Sequence, residues 1–491
     1  LSVPGRRHPA PHPSPRPPTG YIAAVRIHLL CPPATLQAPH VAPRHAPHHA
    51  AIVAAALREA GHTVQLADEH LLGRDLGQVV AAARAFAPDL VLFVHSDYNR
   101  KLHDDVLRAV SQAVADRVPA PLWGVARLDR SHALAAMEAL PALDGFVYGE
   151  PEFGAVALAA ALPGAVDALP ATILRCDEGL VVTDPGPVDF NASPTPAWDL
   201  VDMEHYGFMP HQSPDGLVYP VLASRGCPFP CFYCEVRLRP NYIARSVDAV
   251  LAELNEVAAR YDVGTVFLAD PTFAVKREWA MEFCRRLPAE GPPGLRWSCM
   301  SRTDRVDAEL LQAMADAGCF SVLFGVESLN PAALEAASKA LDVTTVGPAV
   351  RAAKEAGLEV IVSLMIGLPG DSPEGVQRSL DQLIAMEPDF AQFFVVQVGA
   401  DDVPEGTRLV SDWEGGKHEF WGHMLAPEAF EGRDQLEALR RLAFRRFYLR
   451  PGYVRSRLGR LAGARDRRAQ VRRLAKGGLI AVKMAAGRAG R

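Results

Sequence analysis

The chain has 491 residues, 51 Lys and Arg against 57 Asp and Glu, a formal net charge of −6, 49% hydrophobic and 22% charged residues. This supplies apolar material for two to four ordinary globular cores and makes no general case for nucleic acid. Eight cysteines are too few for a disulfide framework in a chain this long, and no apolar run is long enough for a bilayer-spanning helix, so a cytoplasmic protein without a membrane partner is expected.

Residues 1–20 are Pro-rich and lack an apolar h-region, which reads as a disordered leader and not a signal peptide. Over 21–163, short β-rich runs alternate with helical stretches. Strands are expected at Ala24–Leu30, His62–Ala67, Asp89–His95, Pro121–Ala126 and Gly145–Tyr148. Helices are expected at His49–Ala60, Leu76–Phe86, Asp104–Asp116 and Ser131–Leu140, where Ala and Leu recur at three- and four-residue spacing. Such alternation specifies a doubly wound parallel α/β sheet of Rossmann or flavodoxin type. Its ligands bind beyond the carboxyl ends of the strands, a crevice that Cys31-Pro32-Pro33, Asp68, Ser96-Asp97, Arg127 and Gly149-Glu150-Pro151 would line. No Gly-x-Gly-x-x-Gly follows the first strand, which argues against a dinucleotide. His40, His45, His48 and His49 follow that strand; a polar loop and helix entry account for them more simply than a metal site.

Residues 164–217 read as a connector. A hairpin is expected at Thr172–Arg175 and Leu180–Thr183 around Asp177-Glu178-Gly179, then an extended linker over Pro185–Asp199 that seats one domain over the next. From 218 to 400 the alternation resumes with longer helices, in the manner of a barrel or partial barrel. Strands are expected at Tyr219–Ala223, Thr265–Leu268, Arg296–Met300, Ser321–Phe324, Glu359–Met365 and Ala391–Val396. The intervening helices are Val247–Tyr261, Arg277–Leu287, Ala308–Ala317, one long stretch through Ala356, and Pro373–Met386.

The first of these strands delivers Ser224-Arg225-Gly226-Cys227-Pro228-Phe229-Pro230-Cys231-Phe232-Tyr233-Cys234, with the cysteines spaced Cys-x3-Cys-x2-Cys. Three thiolates in one short loop demand a soft metal. Iron–sulfur cubanes normally take four, so a set of three leaves one iron open to an exchangeable ligand. The plainer alternatives are a zinc knuckle, which needs a fourth protein ligand, and three unrelated buried thiols. Cys284, Cys299 and Cys319 read as isolated, on a helix and two strands, so none offers itself as that fourth ligand.

Residues 401–454 read as a small, mostly helical region, with an amphipathic helix over Glu428–Phe447 and an irregular Asp401–His423 that would cover the substrate cavity. The tail 455–491 is basic. A solvated helical face is its default reading, a dock for an anionic carrier or acidic partner the alternative.

The cysteine loop, with Tyr233 just before its last Cys, resembles the signature of radical S-adenosylmethionine (SAM) enzymes. Gly325-Val326-Glu327-Ser328 and Gly367-Leu368-Pro369-Gly370 resemble the segments that contact SAM in that family, and Phe444–Tyr453 resembles a segment common after its barrel. A doubly wound domain followed by this motif resembles the cobalamin-binding radical SAM proteins, over roughly residues 21–455. The resemblance implies a partial (β/α)6 barrel and a [4Fe-4S] cluster on Cys227, Cys231 and Cys234. It implies SAM on the free iron, with Tyr233 against its adenine and Asp270 and Gly367 around it. At the carboxyl ends of the barrel strands, Glu327 and Ser328 offer acceptors for ribose hydroxyls or the SAM ammonium, and Arg302 offers a bidentate partner for a carboxylate. Cobalamin would lie against Ser96, Asp97, Gly149 and Glu150. Asp270 departs from the Gly-Gly-Glu found in many members, which puts the second-strand contact in doubt. Asp68-Glu69-His70-Leu71-Leu72-Gly73 matches the Asp-x-His-x-x-Gly by which other B12 proteins ligate cobalt, but it follows the second strand and not the first, so we read the match as accidental.

The layout resembles class B radical SAM methyltransferases, which implies methyl transfer from methylcobalamin to an unactivated carbon, or phosphorus, of a small-molecule or carrier-bound substrate, with natural products the analogy. It also implies an external electron donor of flavodoxin or ferredoxin type. A radical cyclisation or rearrangement with the same cofactors is the nearer alternative, a B12 sensor with a degenerate enzyme half the farther one. Only Cys31 and Cys176 precede the cluster loop, which argues against the methylthiotransferases, with their three further cluster cysteines.

Overall fold

The computed structural model describes residues 24–33, 46–95, 104–162, 166, 168–206, 217–234, 236, 242–261, 263–398, 403–410 and 423–463. The expectations for the leader, for Ser96 and Asp97, for His40 and His45, for most of Asp401–His423 and for the tail beyond 463 lie outside the described residues.

The N-terminal part runs β1 (Arg26–Cys31), α1 (His48–Glu59), β2 (Thr63–Asp68), α2 (Glu69–Leu72), α3 (Leu76–Phe86), β3 (Leu90–Val94), α4 (Asp104–Ala115), β4 (Leu122–Val125), α5 (Arg130–Ala139), β5 (Gly145–Val147), α6 (Pro151–Ala161), β6 (Thr172–Cys176) and β7 (Gly179–Val182). The strands form one sheet in the order β2-β1-β3-β4-β5-β6-β7, parallel through β5. All five residues of β3 are buried, as a central parallel strand covered on both faces must be. The chain reverses direction across the sheet between β1 and β3, which opens the crevice at their carboxyl ends. The hairpin assigned to the connector belongs instead to this sheet, because β6 pairs antiparallel with β5. Without it the three-residue β5 would be a bare edge.

Residues 190–206 form three short 3-10 turns, and their apolar side chains make a core shared by both halves. Phe190, Trp198, Val201, Met203 and Tyr206 pack with Ala46 and Ala51 on one side and with Tyr219, Leu222, Val257, Phe267 and Ala269 on the other.

The second half runs β8 (Tyr219–Val221), β9 (Ser224–Arg225), β10 (Ile243–Ala244), α7 (Val247–Tyr261), β11 (Thr265–Leu268), α8 (Arg277–Glu290), β12 (Arg296–Ser301), α9 (Ala308–Asp316), β13 (Cys319–Glu327), α10 (Pro331–Ala336), α11 (Val346–Glu355), β14 (Glu359–Ile366), α12 (Pro373–Met386), β15 (Phe390–Val395), β16 (Gln397–Val398), β17 (Thr407–Leu409), β18 (His423–Pro427), α13 (Arg433–Tyr448) and α14 (Pro451–Gly463). Its main sheet is six parallel strands in the order β15-β14-β13-β12-β11-β8, the open (β/α)6 half-barrel expected. Two features differ from expectation. The single long helix before Ala356 is two helices, α10 and α11, broken around Ser338-Lys339-Ala340, and a small antiparallel sheet, β16-β18-β17, precedes α13 where an irregular stretch leading into helix was expected. The helix α13 closes the β15 edge, where Phe444 and Phe447 meet Phe393 edge-on.

Cys284, Cys299 and Cys319 are not isolated from one another. They sit buried in the same core, near enough that Cys299 and Cys319 share a thiol contact. No helix among the described residues is long and apolar enough to cross a membrane.

Candidate active site

The cysteine loop leaves the carboxyl end of β8 under the control of Asp270, at the end of β11. One carboxylate oxygen of Asp270 accepts the N–H groups of Ala223 and Ser224 at 2.8 and 3.0 Å. Full burial pushes that carboxyl up to about 7, against the pull of those donors. Asp270 thus fixes the loop's point of departure. Cys227 follows, its Sγ 3.7 Å from the hydroxyl of Thr272. Cys231 and Cys234 are one turn apart, with the Cys234 N–H donating to the Cys231 carbonyl at 3.1 Å. The N–H of Phe232 donates to the Ala337 carbonyl, and Phe232 and Tyr233 pack against Ala333, Ala337, Leu368 and Val396, which anchors the loop on α10 and the end of β15.

Burial pushes the Cys231 thiol up and the Cys234 thiol up to about 11, so an incoming metal must displace protons from both. Among the described residues no three His, Cys, Asp or Glu side chains converge on one ion. Three cysteines on one loop are one short of the four protein ligands a structural zinc takes, and fit a cubane with one iron left open.

Beside the loop, Glu327 ends β13 in the left-handed region with φ +70°, a conformation that costs a non-glycine residue about 1–3 kcal/mol. The register of β13 on β14 shifts at this point. Glu327 Oε2 accepts from the Ser363 hydroxyl at 3.1 Å, and Oε1 lies 3.5 Å from Lys339 Nζ. A Cβ on Gly325 would meet that same Oε1 at 2.9 Å, so the turned-back carboxylate depends on glycine there. Lys339, 6% exposed, escaped the sequence reading, which ran a helix through it. It is presented by Ser338 and Ala340, both with φ near +50°.

Arg302, expected to pair with a carboxylate ligand, uses four of its five N–H donors within the protein. Nε and Nη2 bind Asp304 at 2.9 and 2.8 Å, while Nη1 and Nη2 donate to the carbonyls of Lys339 and Ala340, each at 2.9 Å. Its guanidinium covers the Phe229 ring at 4.0 Å. Arg302 therefore joins the Lys339 turn to the cysteine loop. Ser328, 1% exposed, accepts from the Asn330 N–H and shapes the turn after β13. Gly367, with φ +89°, backs onto the C-terminal sheet, where a Cβ would meet the Leu425 carbonyl at 3.1 Å.

At the carboxyl ends of the N-terminal strands, Asp68 accepts from the Tyr206 hydroxyl at 2.5 Å and His48 stacks on Trp198 at 5.4 Å, so both serve the connector. His49 is buried with His48 at the start of α1. Gly149, φ +79°, turns the chain out of β5 and donates its N–H to the Leu128 carbonyl. Glu150, expected at the cofactor, is an ion-pair partner of Arg127 at 2.8 Å and of Arg225 at 2.5 Å. Burial would raise its carboxyl; Arg225 and then Arg127 outweigh burial and hold it below the usual carboxylate range.

Residues 221–383 match the Radical SAM superfamily. The chain is 28% identical over 267 residues to an uncharacterised methyltransferase of Pyrococcus horikoshii, covering 52% of this chain and 56% of that one. It is 24% identical over 284 residues to the anaerobic magnesium-protoporphyrin IX monomethyl ester cyclase of Rubrivivax gelatinosus, covering 56% and 50%. The chain thus spans about half the length of these curated relatives. Among solved structures, the radical S-adenosylmethionine methyltransferase TsrM from Kitasatospora setae, with cobalamin and a [4Fe-4S] cluster bound, superposes with a TM-score of 0.64 at 18% identity, over 80% of this chain and 78% of that one. The likeness shows a shared two-part fold.

Proposed function

We propose that this chain, a radical SAM domain behind a doubly wound N-terminal sheet, is a cobalamin-dependent radical SAM methyltransferase acting on a small-molecule or carrier-bound substrate. One observation carries the reading. Three cysteines on a single loop stand at the carboxyl end of a six-stranded parallel half-barrel, and the crevice end of a β2-β1-β3-β4-β5 sheet is docked against the start of that same loop through Glu150 and Arg225.

Cys227, Cys231 and Cys234 would hold the [4Fe-4S] cluster. When bound, the cluster supplies the electron that cleaves SAM, and cobalamin supplies the methyl group. The chain's own residues bind and orient. Arg302 is largely engaged within the protein, so we assign the SAM carboxylate to Lys339 and its ammonium or ribose hydroxyls to Glu327 as acceptor. Tyr233, held on α10, offers a ring for the adenine, and Ser328 and Gly367 shape the walls. The loops after β1, β3 and β5, Gly149 among them, would border the cobalamin. Eight cysteines in 491 residues, three of them clustered as metal ligands, make no disulfide framework, which is the basis for a reducing cytoplasmic setting with a flavodoxin or ferredoxin type donor.

A second reading, radical ring closure with the same cofactors and no methyl transfer, is favoured by the cyclase relative. Anaerobic reconstitution with iron, sulfide, hydroxocobalamin and a low-potential reductant, followed by SAM, separates the two. S-adenosylhomocysteine formed in a cobalamin-dependent manner supports methyl transfer. Formation of 5′-deoxyadenosine alone supports the second reading, and a chain that retains no cobalamin defeats both.

A further inference from the structure

We propose that Arg225 is a positioning residue that holds the crevice of the N-terminal sheet in register with the cysteine loop, through a buried, charge-neutral quartet with Arg127, Glu150 and Glu152. Its role in catalysis rests on the functional reading above; the register itself is a property of the protein alone. Arg225 lies in β9, two residues before Cys227, with 2% of its side chain exposed. Nη1 donates to Glu150 Oε2 at 2.5 Å and to Glu152 Oε1 at 2.7 Å. Glu150 follows β5 and stands at the N-cap position of α6, and Glu152 lies in the first turn of α6. Arg127, just past β4, takes the other side of Glu150, with Nε at 2.9 and 3.1 Å from its two oxygens. The connector closes the assembly: the Ser193 hydroxyl donates to Glu152 Oε1 at 2.9 Å, and the Phe190 ring lies 4.4 Å under the Arg225 guanidinium.

Three elements therefore meet at one guanidinium, the β5–α6 junction, the connector and the strand that leads into the first cysteine, and the end of β4 joins them through Glu150. Two positive and two negative charges buried together return less stability than apolar packing of the same volume. Apolar packing already docks the halves around Trp198. What a planar, forked arginine adds is direction and distance, which apolar contact specifies poorly. Its Nε–H finds no acceptor among the described residues, so the arrangement is not one tuned for maximal bonding. Placement of the β5–α6 loop and placement of the cysteine loop become a single variable.

The test uses the full chain with two substitutions. Arg225→Lys keeps one charge and cannot span both carboxylates; Glu152→Gln keeps the shape and removes one charge, and it carries the test if Arg225→Lys does not fold. Hydrogen exchange on the cofactor-free chain is read at 149–153, 190–193 and 222–227. Products are read after anaerobic loading with iron, sulfide and hydroxocobalamin, with titanium(III) citrate as reductant. SAM that gives up its methyl group leaves S-adenosylhomocysteine. SAM whose C5′–S bond is broken by one electron from the reductant leaves methionine and, once the radical has taken a hydrogen atom, 5′-deoxyadenosine.

Iron and cobalamin contents should match those of the parent chain. Exchange should quicken about tenfold or more in all three segments together. S-adenosylhomocysteine should fall about tenfold or more relative to 5′-deoxyadenosine, since a misplacement near one ångström has effects of that order. Exchange that changes only next to the substitution overturns the register, and so does a fall of both products in proportion. A parent chain that forms no S-adenosylhomocysteine defeats the functional reading instead, and hydrogen exchange then decides the register alone.

Discussion

Lys339 is buried at the turn between α10 and α11, and Glu327 Oε1 lies 3.5 Å from its Nζ. The pair stands beside the cysteine loop, so a zwitterionic ligand there would meet an acceptor and a donor at fixed places. Lys339→Met should leave the iron content unchanged and weaken SAM binding about tenfold or more, the worth of one charge-assisted hydrogen bond; titration of the anaerobic, reconstituted chain with SAM measures it, and unaltered affinity would remove Lys339 from the ligand's contacts. His28, fully buried in β1, makes a different residue-scale prediction. Burial depresses its pKa from 6.5 to about 4, with Gln65 opposing the shift and Arg74 adding to it. The unfolded chain therefore holds that proton where the folded chain does not. The stability tied to neutral His28 is fully present above pH 6.5 and is lost as pH falls toward 4, a loss on the order of 3 kcal/mol. His28→Leu should flatten the denaturant midpoint across that interval, and a midpoint that still falls as steeply would assign the acid sensitivity to other groups. The three cysteines were legible because spacing alone brings thiols together. Lys339 was not, because a single lysine in an Ala-rich stretch carries no pattern, and its burial comes from strands far away in sequence.

The elements of the two parallel sheets follow from periodicity and turn residues, and their order follows from the alternation of strand with helix. The helix Val247–Tyr261 runs where the spacing of its apolar residues places it. Periodicity failed at the break between α10 and α11, where Ser338, Lys339 and Ala340 contain neither Gly nor Pro. Two of the three adopt left-handed backbone there, a cost that tertiary contact has to meet. Arg302 meets it by taking the carbonyls of Lys339 and Ala340, and Phe232 adds its hydrogen bond to Ala337. The break is a consequence of the cysteine loop's docking, which is why local sequence does not mark it. Arg302→Met should destabilise the chain by about 2–3 kcal/mol, since it strands two carbonyls and the partly buried Asp304. The loss should concentrate at the break, so limited proteolysis of the variant should cut first between 337 and 341. Cleavage at the same sites and rate as the parent chain would mean that the turn holds itself.

At the scale of the whole molecule, sequence pattern predicted two parallel sheets and a linker between them but could not show how the halves meet, because docking depends on faces that no periodicity describes. The contact has an apolar part and a charged part. Trp198, 2% exposed, is the centre of the apolar part, stacked on His48 of α1 at 5.4 Å and edge-on to Tyr219 of β8 at 5.9 Å. The N–H of Ala197, one residue before it, donates to the Ala51 carbonyl, so the connector is tied to the first half before it reaches the second. The charged part is the quartet around Arg225. If Trp198 carries the docking energy and Arg225 its direction, the two substitutions should fail differently. Trp198→Ala removes a large buried ring and should cost about 3–5 kcal/mol, all of it from the contact between halves. The parent chain should then unfold in one calorimetric transition, and the variant in two, because each half retains its own sheet and core. Arg225→Lys should keep the single transition while its hydrogen exchange loosens at the quartet. A Trp198→Ala chain that still melts in one step would show that the quartet alone couples the halves, which would raise Arg225 from the residue that aligns them to the one that binds them.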